Sequence, residues 1–182
     1  MKKLNMDELN RMSAEEFRKA DKIPVMVVLD NIRSQHNIGS VFRTCDAFRV
    51  SHIFLCGITA TPPSREIQKS ALGATESVSW TYHESALRQI EELKKENFKI
   101  VAVEQATGSI SPDQFIPDYE SKTLLVFGNE VKGVSQEIIN ISDVCIEIPQ
   151  FGTKHSFNVS VSAGIVLWEV YKRKLNFSKV KL

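Results

Sequence analysis

The chain has 182 residues, 42% hydrophobic, 25% charged and 8% aromatic, which excludes disordered and fibrous classes and suits one globular domain able to bury a core. Lys plus Arg number 23 against 22 Asp plus Glu, a net charge of +1, so no global positive field marks a nucleic-acid partner and any such partner must be met by local patches. No apolar run approaches the roughly 20 residues of a membrane span, and Met1-Lys2-Lys3-Leu4-Asn5 leads into charged residues in place of a signal-peptide core, which predicts a soluble cytoplasmic protein without membrane contact.

In chain order, Ser13-Ala14-Glu15-Glu16 has capping-box spacing and predicts a short helix to about Ala20. The run Pro24 to Asp30 is continuously apolar and of strand length, the pattern of a strand buried on both faces of a parallel sheet. From Asn37, apolar residues recur at Ile38, Val41, Phe42, Cys45 and Phe48, a helical spacing with Asn37 placed to cap it. Strand His52 to Cys56, helix Ser64 to Leu72 stopped near Gly73, strand Ser77 to Tyr82 and helix Glu84 to Glu96 follow. Further strands are expected at Phe98 to Val103, Thr123 to Phe127 and Val144 to Ile148, with a short helix around Ser135 to Ile141 and a closing helix from about Asn158 to Lys174.

This alternation predicts an α/β domain with a mostly parallel sheet and helices on both faces, whose ligands sit outside the carboxyl ends of the strands. Residues 1 to 22 read as an appended helical segment, 23 to 175 as the main domain, and 176 to 182 as the end of a basic tail that carries Lys172, Arg173, Lys174, Lys179 and Lys181. That tail reads as a solvated end or as an RNA-backbone contact. Cys45, Cys56 and Cys145 are odd in number and lack C-x-x-C spacing, which predicts buried free thiols and no metal site.

The common nucleotide motifs are missing. There is no G-x-G-x-x-G, Gly128 and Gly133 have Walker spacing but lead into Val134-Ser135, and no serine occupies a G-x-S-x-G elbow. The unusual polar residues cluster at three strand ends instead. The first cluster runs from Asn31 to Thr44, where Gly39 permits close approach and Arg43 either grips a phosphate or carboxylate or forms an ion pair on its helix. The second, Leu124 to Gly133, is an apolar strand that stops in a glycine-flanked polar turn, either a ligand cradle or a tight connection. The third, Ile146 to Gly164, crosses a loop containing Lys154-His155-Ser156 into a helix whose Ser160, Ser162, Ala163 and Gly164 allow close packing. His155 has the chemistry of a general base but no visible carboxylate partner.

Taken in order, these clusters resemble the three motifs of the SPOUT superfamily, specifically its SpoU or TrmH-type RNA ribose 2′-O-methyltransferases. The resemblance spans about Pro24 to Lys172 and rests on Asn37-Ile38-Gly39 with Arg43-Thr44, on Phe127-Gly128-Asn129-Glu130 with Gly133, and on Ile148-Pro149, Gly152 and Ser156-Phe157-Asn158-Val159-Ser160-Val161. It implies a carboxyl-terminal deep trefoil knot, which pattern reasoning alone would not propose, a homodimer, S-adenosylmethionine as cofactor and tRNA or rRNA as substrate. It further implies a cofactor pocket of Phe127, Gly128, Asn129, Ile148, Gln150, Ser156 and Phe157, with Val103 and Glu104 at the end of the fourth strand. Arg43 matches the family's catalytic arginine, and Asn37, Glu130, Ser156 and Asn158 match the polar residues that position it and the knot loops.

Two positions depart from the pattern. Gln150 stands where many relatives carry Met, and Phe157 where many carry Leu. No separate amino-terminal RNA-binding domain is expected, which leaves substrate capture to the dimer surface, the first helix and the tail. The alternatives are an RNA-binding module of the same fold without turnover, and a small-molecule methyltransferase on an unknotted sheet. The first would be expected to have lost Arg43 or the third-motif polar residues, and the second should show a glycine-rich loop after its first strand.

Overall fold

A computed structural model of the chain describes residues 1–5, 7–9, 11–118 and 120–180, with the backbone alone for residues 7 and 174–180. Six strands, β1 (Ile23–Asp30), β2 (Val50–Cys56), β3 (Trp80–His83), β4 (Lys99–Val103), β5 (Thr123–Phe127) and β6 (Val144–Ile146), form one sheet in the order β3-β2-β1-β5-β4-β6. Every pairing is parallel. The helices are α1 (Ala14–Lys19), α2 (Gln35–Ala47), α3 (Arg65–Ala71), α4 (Ala74–Ser77), α5 (Ala86–Lys95), α6 (Gln136–Ile141) and α7 (Val159–Val180).

The continuous apolar strands divide between two cores. Val25, Val27 and Leu29 of β1 face one cluster with α2, α3 and α7, through residues such as Phe42, Ile67, Ala163 and Leu167. Val28 joins Phe54, Ile100, Leu124 and Val126 on the other face, against Ile90 and Leu93 of α5 and Ile138 of α6. A strand buried on both sides has no polar face to show, so its sequence loses the two-residue alternation. Phe17 of α1 is buried in the first cluster, so α1 packs as part of the main core and is more than an appendage.

Several expectations shift. Ser34, and not Asn37, caps α2: its Oγ accepts the Asn37 amide at 3.3 Å, and Asn37 is buried within the first turn. The third helix stops at Leu72 as expected, but left-handed backbone at Leu72 (φ 49) and Gly73 (φ 89) leads directly into an added short helix, α4, which takes in Ser77. β3 therefore begins only at Trp80, and β6 ends at Ile146 with Ile148 already in the loop. α7 continues past Lys174 to Val180, so the stretch read as a basic tail is helical there, while Lys181 and Leu182 lie outside the described residues.

Cys45 and Cys56 are buried free thiols and Cys145 is a half-buried one. Desolvation raises all three, with Cys56 pushed up to about 12, so none is poised as a nucleophile. Among the described residues no helix is long and apolar enough to cross a membrane, and no cluster of metal-ligating side chains is present.

Candidate active site

β1 ends at Asp30, and Asn31 follows in a left-handed conformation (φ 56). Its side chain links the end of β1 to the loop after β2: Nδ2 donates to Asp30 Oδ1 at 2.7 Å and Oδ1 accepts the Ile58 amide at 3.1 Å. The Asn31 carbonyl accepts Asn129 Nδ2 at 2.7 Å, which joins the ends of β1 and β5. Beyond β5 the chain turns back sharply. Asn129 and Gly133 exchange backbone hydrogen bonds of 3.1 and 2.8 Å, and Asn129 Oδ1 accepts the amides of Val131 and Lys132. Gly128 is required here, because a Cβ would lie 2.2 Å from the Gly133 carbonyl.

That turn aims Glu130 at the amino terminus of α2. Its carboxylate accepts the backbone amides of Arg33 and Ser34, each at 3.0 Å, and Asn37 Nδ2 at 3.2 Å. Burial alone would raise this carboxyl, but the amides of Arg33 and Ser34, its own amide and the Asn37 side chain together hold it below the usual carboxylate range. An anion at a helix amino terminus is stabilised by the unpaired amides there. Asn37 then passes the connection on, since its Oδ1 accepts Asn158 Nδ2 at 3.0 Å. Asn158 Oδ1 accepts the Ser160 amide and hydroxyl at 2.9 and 2.7 Å, so the same residue caps α7. Glu130, Asn37 and Asn158, one from each motif, thus form a single relay.

Beside the relay, at the carboxyl ends of β4, β5 and β6, lies a cleft of about 300 Å³. All nine residues expected at the cofactor line it: Val103, Glu104, Phe127, Gly128, Asn129, Ile148, Gln150, Ser156 and Phe157. Glu130 lines it too, whereas Asn37 and Asn158 stand behind it. Gln105 and Glu147 are among the lining residues that the sequence reading did not assign. Both flank strand ends already assigned to the pocket, and that adjacency was the available signal. His155, left open above, lines the cleft as well.

Arg43 is the exception. It is exposed, it does not line the cleft, and among the described residues its guanidinium has no hydrogen-bond or ion-pair partner. Six residues beyond Asn37 it leaves α2 on a different face. One chain by itself therefore assembles the cleft and the relay but does not bring Arg43 to them.

The model of the SpoU rRNA Methylase family matches residues 24–168. The chain belongs to this family. This SpoU methylase is 33% identical over 178 residues, 96% of its own length and 81% of the other's, to the tRNA (guanosine(18)-2′-O)-methyltransferase of Aquifex aeolicus. Its fold is similar to the crystal structure of the A. aeolicus TrmH/SpoU tRNA modifying enzyme, with a TM-score of 0.79, 29% identity and coverage of 91% and 84% of the two chains. It is also similar to the AdoMet-bound rRNA methyltransferase from Sinorhizobium meliloti, with a TM-score of 0.76, 26% identity and coverage of 87% of the SpoU methylase and 60% of that chain.

Proposed function

We propose that the chain transfers the methyl group of S-adenosylmethionine to a ribose 2′-hydroxyl of structured RNA, either tRNA or rRNA, in the cytoplasm. The observation that carries this reading is the convergence of three sequence-distant loops on one cleft, tied together by Glu130, Asn37 and Asn158. The cleft suits the cofactor's chemistry. Val103, Phe127, Ile148 and Phe157 offer apolar walls for an adenine ring, and Glu104 and Glu147 offer carboxylates to a cationic ligand. When bound, the cofactor supplies an electrophilic methyl on a sulfonium.

The chain's own residues supply position and charge. Methyl transfer by in-line displacement depends on holding the acceptor oxygen close and aligned, and on making a weakly acidic hydroxyl nucleophilic. Arg43 is assigned to the second task. Its guanidinium stays protonated in proteins, so it stabilises charge developing on the ribose oxygen while a phosphate oxygen of the RNA accepts the proton. Asn37, Glu130, Ser156 and Asn158 hold the loops that frame this reaction. The names of the relatives, a tRNA guanosine 2′-O-methyltransferase and an rRNA methyltransferase, support the substrate class.

The proposal includes a homodimer and the carboxyl-terminal knot of the family. α7 leaves Val161 and Trp168 about half exposed, seven residues apart on one helical stripe with Gly164 between them, a surface suited to a second copy. Since Arg43 stands outside the cleft of its own chain, a second subunit or the seated RNA must complete the site. Arg43 and the third-motif residues Ser156 and Asn158 are all present, which counts against the alternative of an RNA-binding module without turnover. Incubating the full chain with RNA and methyl-labelled S-adenosylmethionine, then mapping 2′-O-methyl sites, separates the two readings. Label in ribose supports the enzyme. RNA binding with no transfer supports the module.

A further inference from the structure

The loop between β6 and α7 carries four of the nine residues assigned to the cofactor, Ile148, Gln150, Ser156 and Phe157, yet beyond Ile148 it is weakly held. Ile148 packs against the core at one end and Val159 is buried at the other. Between them residues 151–158 are all exposed, and the two aromatic side chains that would anchor a loop by burial do not: Phe151 is 98% and Phe157 41% exposed. Among the described residues, one hydrogen bond joins residues 149–157 to the rest of the chain, from Gln105 Nε2 to the His155 carbonyl at 2.6 Å.

Gln105 is itself firmly placed. It is the second residue past the end of β4, and its amide donates to Glu104 Oε1 at 2.8 Å. The other oxygen of that carboxylate, Oε2, accepts the Val134 amide at 2.9 Å and lies against Gly133, where a Cβ would be 2.1 Å away. Glu104 is fixed in turn through its own backbone, its amide donating to Ile146 at 3.0 Å and its carbonyl accepting the Cys145 thiol at 3.3 Å. Two adjacent residues at the end of β4 thus hold opposite walls of the cleft, Glu104 the glycine turn after β5 and Gln105 the loop before α7.

We infer that Gln105 is a positioning residue for cofactor binding, the tether that keeps the β6–α7 loop over the cleft. This rests on the methyltransferase reading for the identity of the ligand, and on geometry alone for the tether. Without the tether the closed loop is one conformation among several, and affinity falls by the fraction of chains that hold it. A single neutral hydrogen bond shifts such an equilibrium by about three- to tenfold. The loop contains Lys154, an exposed trypsin site, so its opening can be read without any ligand.

The test compares wild type, Gln105→Leu, which keeps bulk and removes the donor, and Gln105→Lys, which restores a donor. Each full-length chain is digested with trypsin under native conditions and titrated with S-adenosylmethionine in a calorimeter without RNA. Gln105→Leu is expected to speed cleavage after Lys154 about three- to tenfold, to raise the cofactor Kd by a similar factor and to leave Tm unchanged, with Gln105→Lys recovering most of both losses. Unchanged cleavage and Kd would overturn the inference, as would faster cleavage throughout the chain with a lower Tm. If wild type gives no binding heat, the methyltransferase reading fails and takes the cofactor role of Gln105 with it. If wild type binds and Gln105→Leu binds equally well, the tether alone fails.

Discussion

Asn158 donates from Nδ2 to Asn37 Oδ1 at 3.0 Å across 121 residues of sequence. The bond joins the first turns of α2 and α7, which meet again where α2 ends against the middle of α7, the Phe48 ring lying 6.0 Å from Trp168 and 5.3 Å from Tyr171. Because Asn37 also donates to Glu130, its amide has one defined orientation, with nitrogen toward the carboxylate and oxygen toward Asn158. Asn37→Ala should therefore cost about 1–3 kcal/mol of stability. Asn158→Ala should cost about 1 kcal/mol through the lost cap of α7. The double variant should cost less than the sum, since both remove one bond. Denaturant unfolding of the four proteins measures this, and strict additivity would count against the relay.

Glu130 sets a pH dependence. Its carboxyl is lowered from the ordinary 4.5 in the folded chain, so the folded state binds its proton less readily than the unfolded state does. The stability this contributes is complete above the ordinary value and is lost as pH falls through the lowered one. Glu130→Gln should lose less stability than wild type as pH falls from about 5 to about 3, read as the difference in urea midpoints. An equal loss in both would show that the carboxylate makes no differential contribution.

Gly39 and Gly128 should tolerate no side chain, for different reasons. A Cβ on Gly39 would meet Ser70 Oγ at 2.2 Å and the Ile67 carbonyl at 2.3 Å, so Gly39→Ala should force α2 and α3 apart at a cost of about 1–3 kcal/mol or more. On Gly128 it would strike the Gly133 backbone, deforming the turn that lines the cleft. Gly128→Ala should thus lose S-adenosylmethionine binding in calorimetry, and Gly39→Ala should retain it at temperatures where it remains folded.

Arg43→Ala should bind S-adenosylmethionine as wild type does, because Arg43 does not line the cleft, and should lose most of the single-turnover rate at saturating RNA. Arg43→Lys should fail too, since an ammonium cannot reproduce the planar fork of the guanidinium. Methylation within a few-fold of wild type by either variant, or at a 2′-deoxy target nucleotide, would refute the assigned role.

A homodimer should sediment at twice the 20.6 kDa of the chain at micromolar concentration. Trp168 is 47% exposed on α7, and Trp168→Glu would place a charge in the proposed interface, so that variant should sediment as a monomer. It should also turn over more slowly if a second subunit completes the site. Wild type running as a monomer would remove the dimer from the mechanism.

The local signals were strong wherever chemistry is local. Ser13 and Glu16 form the capping box their spacing announced, β5 runs from Thr123 to Phe127 as its apolar run implied, and the order of strands and helices followed from periodicity. Polar residues gathered at strand ends marked the cleft because a buried parallel strand leaves nowhere else for them. Tertiary structure decided what no window of sequence contains. It selected Ser34 over Asn37 as the cap of α2, because Asn37 is drawn inward by Glu130 and Asn158 from 93 and 121 residues away. It added α4 directly after the third helix through left-handed backbone at Leu72, a residue with no intrinsic preference for it. It extended α7 to Val180, made Gln105 a cleft residue through a contact with His155 fifty positions away, and left Arg43 outside the cleft. Helical and strand periods are read within a few residues, whereas hydrogen bonds between loops depend on where the sheet sets the ends of its strands.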